Sequence, residues 1–159
     1  MSETEVRSVL VPLTGVDMLL PNATVAEIVN YSEPEPIPDA VDWVLGTVVW
    51  QGWQVPVISF ARLAEESEQE PSKGKGARLC IIKTLIDRER MPYMAILAQG
   101  KPRLATITED NFDEITSEGN PIAVAGRVSI EGREALIPDL DRLGHLVAHA
   151  AFGALPLTG

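Results

Sequence analysis

Trp43-Val44-Leu45-Gly46-Thr47-Val48-Val49-Trp50-Gln51-Gly52-Trp53-Gln54-Val55-Pro56-Val57-Ile58-Ser59-Phe60-Ala61-Arg62-Leu63 is the stretch whose reading decides the fold. It carries no charge from Trp43 to Ala61, a run of 19 residues. A membrane helix needs about 20 mostly apolar residues, but this run is polar at its centre and rich in β-branched residues around it. Residues 46–50 and 53–58 therefore read as two strands joined by Gln51-Gly52, a two-residue turn in which glycine supplies a positive φ. Ser59 then caps a short helix over residues 60–66.

The same unit recurs. Displaced by 80 positions, residues 46–63 fall on 126–143 without a gap, with Gly46, Val48, Gly52, Arg62 and Leu63 each meeting its own kind. The turn Gln51-Gly52 meets Glu131-Gly132, and the cap Ser59 meets Asp139. A strand–turn–strand–helix unit used twice predicts two small β subdomains of similar topology. Short, tightly curled strands close more easily into small barrels than into an open sheet.

Working outward, residues 6–13 read as a strand with Val9, Val11 and Leu13 on one face, and residues 16–20 as a second strand turning at Pro21-Asn22. Residues 23–31 are ambiguous between strand and helix, and their β-branched content favours strand. Pro34, Pro36 and Pro38 hold an extended loop. Residues 65–76 are charged and breaker-rich, a solvated boundary between halves. Strands follow at 78–85, 92–98, 104–107, 122–130 and 134–137. A helix from Asp139 repeats Leu140, Leu143, Val147, Ala150 and Ala151 on one side. The whole reads as one mainly β domain over 1–159. Its approximate subdomains are 15–66 and 78–143 with interleaving strands, an exposed loop at 64–77 and a C-terminal helix at 139–152.

Composition narrows the function. Thirteen basic against 23 acidic side chains give a formal net charge of −10. A chain of that balance repels phosphate backbones, which argues against a nucleic-acid partner. The acidic N-terminus lacks the basic and apolar regions of a secretory signal, and the single cysteine, Cys80, suits a reducing cytosol. No direct membrane insertion is expected.

Catalytic chemistry is missing. His145 and His149 lie four apart on the last helix but opposite its apolar side, with Leu146 where a metalloprotease motif needs glutamate and no third ligand in view. No metal or cofactor is expected. Cys80 sits in an apolar strand as a small hydrophobe. Ser72-Lys73-Gly74-Lys75-Gly76 lacks the spacing of a phosphate loop. Asp110, Asp113 and Glu114 fit a solvated turn or helix start better than a carboxylate pair. Three of the eight aromatic residues are tryptophans flanking or preceding the turn. Trp50 reads as core, while Trp53 fits core and interface equally.

The order Val25-Ala26-Glu27-Ile28, then Ile37-Pro38, then Gly46–Pro56 around Gln51-Gly52, resembles the CheW family of bacterial chemotaxis coupling proteins. The match is specific over residues 24–63 and collinear to Ile137-Pro138-Asp139-Leu140-Asp141-Arg142-Leu143. The resemblance implies two SH3-like β-barrels around a shared core and no catalysis. Implied partners are the regulatory domain of a chemotaxis histidine kinase and the cytoplasmic tip of a chemoreceptor, whose helix lies in an apolar groove. Val25, Glu27 and Ile28 map to its partner-binding motif, with Val44, Val48, Gln51 and Trp53 as further partner-binding candidates. Gly46, Gly52 and Pro56 shape the hairpin. The family's arginine before the hairpin glycine is Gln51 here, and its asparagine is Val49. Glutamine loses the fixed charge and forked donors with which arginine reads a carboxylate.

Three readings follow. The first is a cytoplasmic, non-enzymatic adaptor between chemoreceptors and a chemotaxis-type kinase, similar to accessory members in pilus-associated (twitching) systems. The second is a regulatory β module holding a small molecule in the inter-barrel cleft. The last is a hydrolase built on the acidic cluster or the histidines.

Overall fold

The computed structural model describes residues 5–64, 76–87, 89–115 and 121–152. The expected 64–77 loop lies mostly outside these residues, as do Glu65 and Glu66 of the expected helix and the lysine–glycine run at 72–75; the loop's flanks, Ala64 and Ala77, are buried. The strands in chain order are β1 (Val6–Pro12), β2 (Asp17–Pro21), β3 (Val25–Asn30), β4 (Val44–Trp50), β5 (Trp53–Ile58), β6 (Arg78–Asp87), β7 (Met91–Ala98), β8 (Arg103–Ile107), β9 (Phe112–Glu114), β10 (Val124–Ile130) and β11 (Arg133–Pro138). A 3-10 turn spans Asn22–Thr24, and the helices are α1 (Phe60–Leu63) and α2 (Leu140–Phe152).

The strands form two sheets, ordered β8-β1-β2-β11-β10-β9 and β3-β6-β7-β5-β4. Strands interleave between the two sheets, so neither sheet is confined to 15–66 or to 78–143. β6 and β7 pair with β3 and β5, so one sheet is built from 25–98 and is inserted between the strands of the other. The sequence repeat marked a recurring hairpin and helix, but strand pairing fixes which sheet each hairpin completes. β9, the strand the sequence reading missed, lies where a solvated turn or helix start was expected.

The repeat itself is reproduced in detail. Gln51 and Gly52 have φ of 53° and 81°, and Glu131 and Gly132 have 51° and 84°. Two consecutive positive values define the primed turn that suits the twist of a hairpin. Each hairpin carries a register shift at the same place, Val44/Gly46 and Val124/Gly126. The amide of Ser59 donates to the carbonyl of Trp43 and that of Asp139 to the carbonyl of Ala123, each at 2.8 Å. The Ser59 hydroxyl and the Asp139 carboxylate both cap, accepting from the amides of Arg62 (3.4 Å) and Arg142 (3.1 Å). Pro56 is tolerated in an interior strand because its pair with Thr47 is a non-hydrogen-bonded one, Thr47 bonding outward to Glu35, and on the other side the β5–β7 pairing begins only at Val57.

Apolar residues sort into three clusters. Val55, Val57, Leu79, Ile81, Ala95 and Leu97 fill the interior of the curled β3–β4 sheet, and Leu10, Ile107, Val128, Ile130 and Ala135 fill the other. Between them lies a shared core to which both sheets contribute (Val9, Met18, Leu20 and Leu136; Ile58, Cys80, Ile82 and Met94), with Phe60, Leu143 and Val147 from the helices. The architecture is two small SH3-like barrels on one common core, the first formed by the β8-β1-β2-β11-β10-β9 sheet and the second by the β3-β6-β7-β5-β4 sheet. Leu140 and Ala150 of the expected helix face are only partly buried against it, while Ala148 is fully engaged.

Burial pushes the Cys80 thiol up from 9.0 to about 12. In the window from about pH 9 to about pH 12 the unfolded chain gives up this proton and the native chain keeps it, so stability falls as pH rises across the window. Denaturant titrations at pH 8 and pH 10.5 should show the fall, and a Cys80→Ala chain should lose this component. In the native state at pH 8 the thiol should be inert to a disulfide reagent.

Candidate functional site

The residues singled out from the sequence fall into three environments. Ile28 lies on the edge strand β3 and is 39% exposed, while Val25 is half-buried against the shared core. Gln51, Gly52 and Trp53 form the exposed tip of the β4–β5 hairpin, Trp53 at 36%. Val44, by contrast, is 7% exposed and packs in the shared core, and Val48 turns half-buried into the second barrel's interior. Both therefore pack against apolar neighbours, Val44 fully and Val48 in part. Alternation along a strand gives the face, and the core side of β4 could not be told from its outer side before the sheets were known.

Glu27 has an internal partner. Its Oε1 accepts from the indole Nε1 of Trp50 at 2.8 Å. Glu27 is on β3 and Trp50 on β4, the two edges of one sheet, so this bond helps draw that sheet closed. The Trp50 ring also meets Tyr93 edge to face, with centroids 4.8 Å apart at 74°. Trp50, expected in the core, is partly buried and packs against the barrel's apolar interior from its end. Trp53 stands opposite it in register but leans to solvent.

Two apolar residues are exposed to an extent the sequence did not signal. Val49 on β4 is 77% exposed and Leu104 on β8 is 75% exposed. Leu104 was readable only as a strand residue; its exposure follows from β8 being an outer strand of its sheet. The registers relate it to Ile28. Ile28 pairs with Cys80 and Cys80 with Ile96 in one barrel; Leu104 pairs with Val9 and Val9 with Leu20 in the other. The 80-residue displacement takes Ile58, which stands beside Ile96, to Pro138; the Ala135–Asp17 and Leu136–Met18 register, continued two residues, sets Pro138 beside Leu20, so by strand register Ile96 corresponds to Leu20, Cys80 to Val9 and Ile28 to Leu104. Each barrel therefore presents one exposed apolar side chain at the same place on its edge strand.

At the seam between the barrels a cavity of about 270 Å³ is lined by Ala23, Thr24, Lys83, Thr84, Ile86, Leu140 and Asp141. His145 and His149 are exposed, and His145 Nδ1 lies 2.9 Å from the carbonyl of Asp141. Among the described residues no group of three or more His, Cys, Asp or Glu could hold a metal, and no helix is long and apolar enough to cross a membrane. Asp113 and Glu114 point to solvent from β9, and the turn before it is held by Asn111, whose side chain bonds Thr108 and Thr106.

The family model described as "CheW-like domain" matches residues 7–147. No curated protein sequence matches significantly. The fold is similar to that of the scaffolding protein TtCheW from Thermoanaerobacter tengcongensis, with a TM-score of 0.69 and 17% identity over 87% of each chain.

Proposed function

The chain belongs to the family of CheW-like domains, and on that premise we propose that it couples chemoreceptors to a chemotaxis-type histidine kinase. Its family is one of non-enzymatic scaffolds. The observation that carries the reading is the match over residues 7–147 on a molecule whose two barrels each expose an apolar side chain at an equivalent edge position, Ile28 and Leu104. Such residues suit the apolar face of a receptor helix. The hairpin tip, with Val49, Gln51 and Trp53, is the surface left for a barrel of the kinase regulatory domain. The adaptor would work in the cytoplasm, recruited to receptor arrays, and a pilus-associated system is the proposed setting.

Calorimetry against a kinase regulatory domain and a receptor-tip coiled coil from the same organism tests this. Ile28→Asp and Leu104→Asp should each weaken receptor binding by at least about tenfold, the loss of one apolar anchor. Glu27→Lys is a poor probe because it also breaks the Trp50 bond. Glu27→Gln keeps an acceptor there, and Trp50→Phe keeps the ring while removing the donor. A wild-type chain that binds neither partner sinks the proposal, unless Gln51→Arg restores binding; that would identify a scaffold that has left the usual array. The seam cavity favours the second reading, a small-molecule module, and saturable thermal stabilisation by a metabolite would support it.

A further inference from the structure

The equivalence between the barrels extends to their open ends, and there the two differ in chemistry. In the second barrel the end is occupied by Glu27, Trp50, Trp53 and Tyr93. Trp50 bridges the group, donating to Glu27 and packing on Tyr93. The same register positions in the first barrel are Arg103, Ile130, Arg133 and Asp17. Ile81 pairs with Glu27 as Leu10 pairs with Arg103, Tyr93 stands three before Ile96 as Asp17 stands three before Leu20, and the 80-residue displacement takes Trp50 to Ile130 and Trp53 to Arg133. No ring spans this end. It is an open cavity of about 210 Å³ lined by Leu10, Pro12, Asp17, Lys101, Arg103 and Arg133.

The charges do not balance. Asp17 has only 8% of its side chain exposed and is held by Arg133, whose Nη2 lies 3.4 Å from each carboxylate oxygen. Arg133 itself is 62% exposed, so it is anchored on one side only. Lys101 and Arg103 line the same cavity and their side chains make no hydrogen bond or ion pair among the described residues. Three cations around one carboxylate leave two positive charges uncompensated, on a chain whose net charge is −10. A concave site of one sign concentrates the opposite ion. Where the second barrel places its own carboxylate, Glu27, the first places Arg103.

We propose that the open end of the first barrel is an oxyanion-binding site, formed by Arg103, Lys101 and Arg133, that takes a small carboxylate or phosphate ligand from solution. Arg103 supplies the planar fork that matches an oxyanion, Lys101 a second charge, and Arg133 is shared between Asp17 and the ligand. The buried Asp17 fixes Arg133 in place and at the same time limits affinity by repelling the ligand. Partner binding is not required for any of this.

The test is a titration of the labelled full chain, followed by amide and arginine side-chain NMR shifts, with inorganic phosphate in one arm and citrate in the other at constant ionic strength. Saturable shifts confined to residues 101–103, 133–134 and 17 are expected, and the arm that saturates names the ligand class. Arg103→Ala should weaken binding about tenfold, as expected for losing a charge-assisted fork, with Arg103→Lys in between. Arg142→Ala, an exposed arginine on α2 outside both cavities, should leave it unchanged. Asp17→Asn, if it folds, should tighten it. Shifts that sodium chloride reproduces, that do not saturate in either arm, or that survive Arg103→Ala would overturn the proposal.

Discussion

Gly46→Ala is expected to cost about 3 kcal/mol or more, among the larger effects a single methyl group can have on this fold. Gly46 has a φ of 140°, a conformation L side chains rarely adopt. A Cβ there would also meet the backbone of Glu35, 2.3 Å from its carbonyl oxygen and 2.7 Å from its carbonyl carbon, and Pro34 Cβ at 2.9 Å. Backbone cannot swing aside as a side-chain tip can. That backbone is pinned, because Glu35 and Thr47 exchange two hydrogen bonds of 2.8 and 2.9 Å. Thermal unfolding should fall by roughly 6–12 °C. Two other glycines calibrate the result. Gly52 has a φ of 81° with nothing within 4 Å of a Cβ, so Gly52→Ala should cost only about 1 kcal/mol. Gly126 occupies the position of Gly46 in the second copy of the unit and has no neighbour within 4 Å, so Gly126→Ala should be close to neutral. If Gly46→Ala proved as mild as Gly126→Ala, the proline loop would not be packed on β4 as described.

The contrast between Gly46 and Gly126 also shows how far the sequence could be read. Both are glycine at matching places in the repeat, and from residue types alone they are the same feature. Local chemistry was legible: the Gln51-Gly52 turn, the Ser59 and Asp139 caps, and the buried strand around Cys80 all depend on neighbours in the chain. What was not legible depends on residues brought from afar. Glu35 reaching Gly46, β6 joining β3, and the Trp50 indole reaching Glu27 across 23 positions are set by sheet closure. The candidate site divides the same way. Glu27 and Val44 were picked from the motif by type and position, yet one is held by Trp50 and the other sits in the shared core. Leu104 and Arg103 carried no local signal, since an edge strand is an edge only once its neighbours are known.

The second large effect concerns that shared core. Phe60→Ala should cost about 3–5 kcal/mol, because Phe60 is fully buried where α1 plugs the space between the barrels. The more informative result is the shape of the transition. Val9, Met18, Leu20 and Leu136 from one sheet and Ile58, Cys80, Ile82 and Met94 from the other bury each other in a single cluster. Unfolding either barrel alone would leave the other's half of that cluster in water, at about 25 cal/mol for every Å² of apolar surface exposed. α2 follows β11 of the first barrel yet packs chiefly on β6 of the second, so it ties them further. Calorimetric and van't Hoff enthalpies should therefore agree for the wild type and for Phe60→Ala. They should agree as well for Leu10→Ala, which empties the first barrel's interior, and for Leu79→Ala, which empties the second's. A resolved second transition in Leu79→Ala would mean that the barrels melt separately and the shared core does not bind them. A single transition would place Ile28 on one barrel and Leu104 on the other in one cooperative unit, as the proposed docking of one receptor helix across both requires.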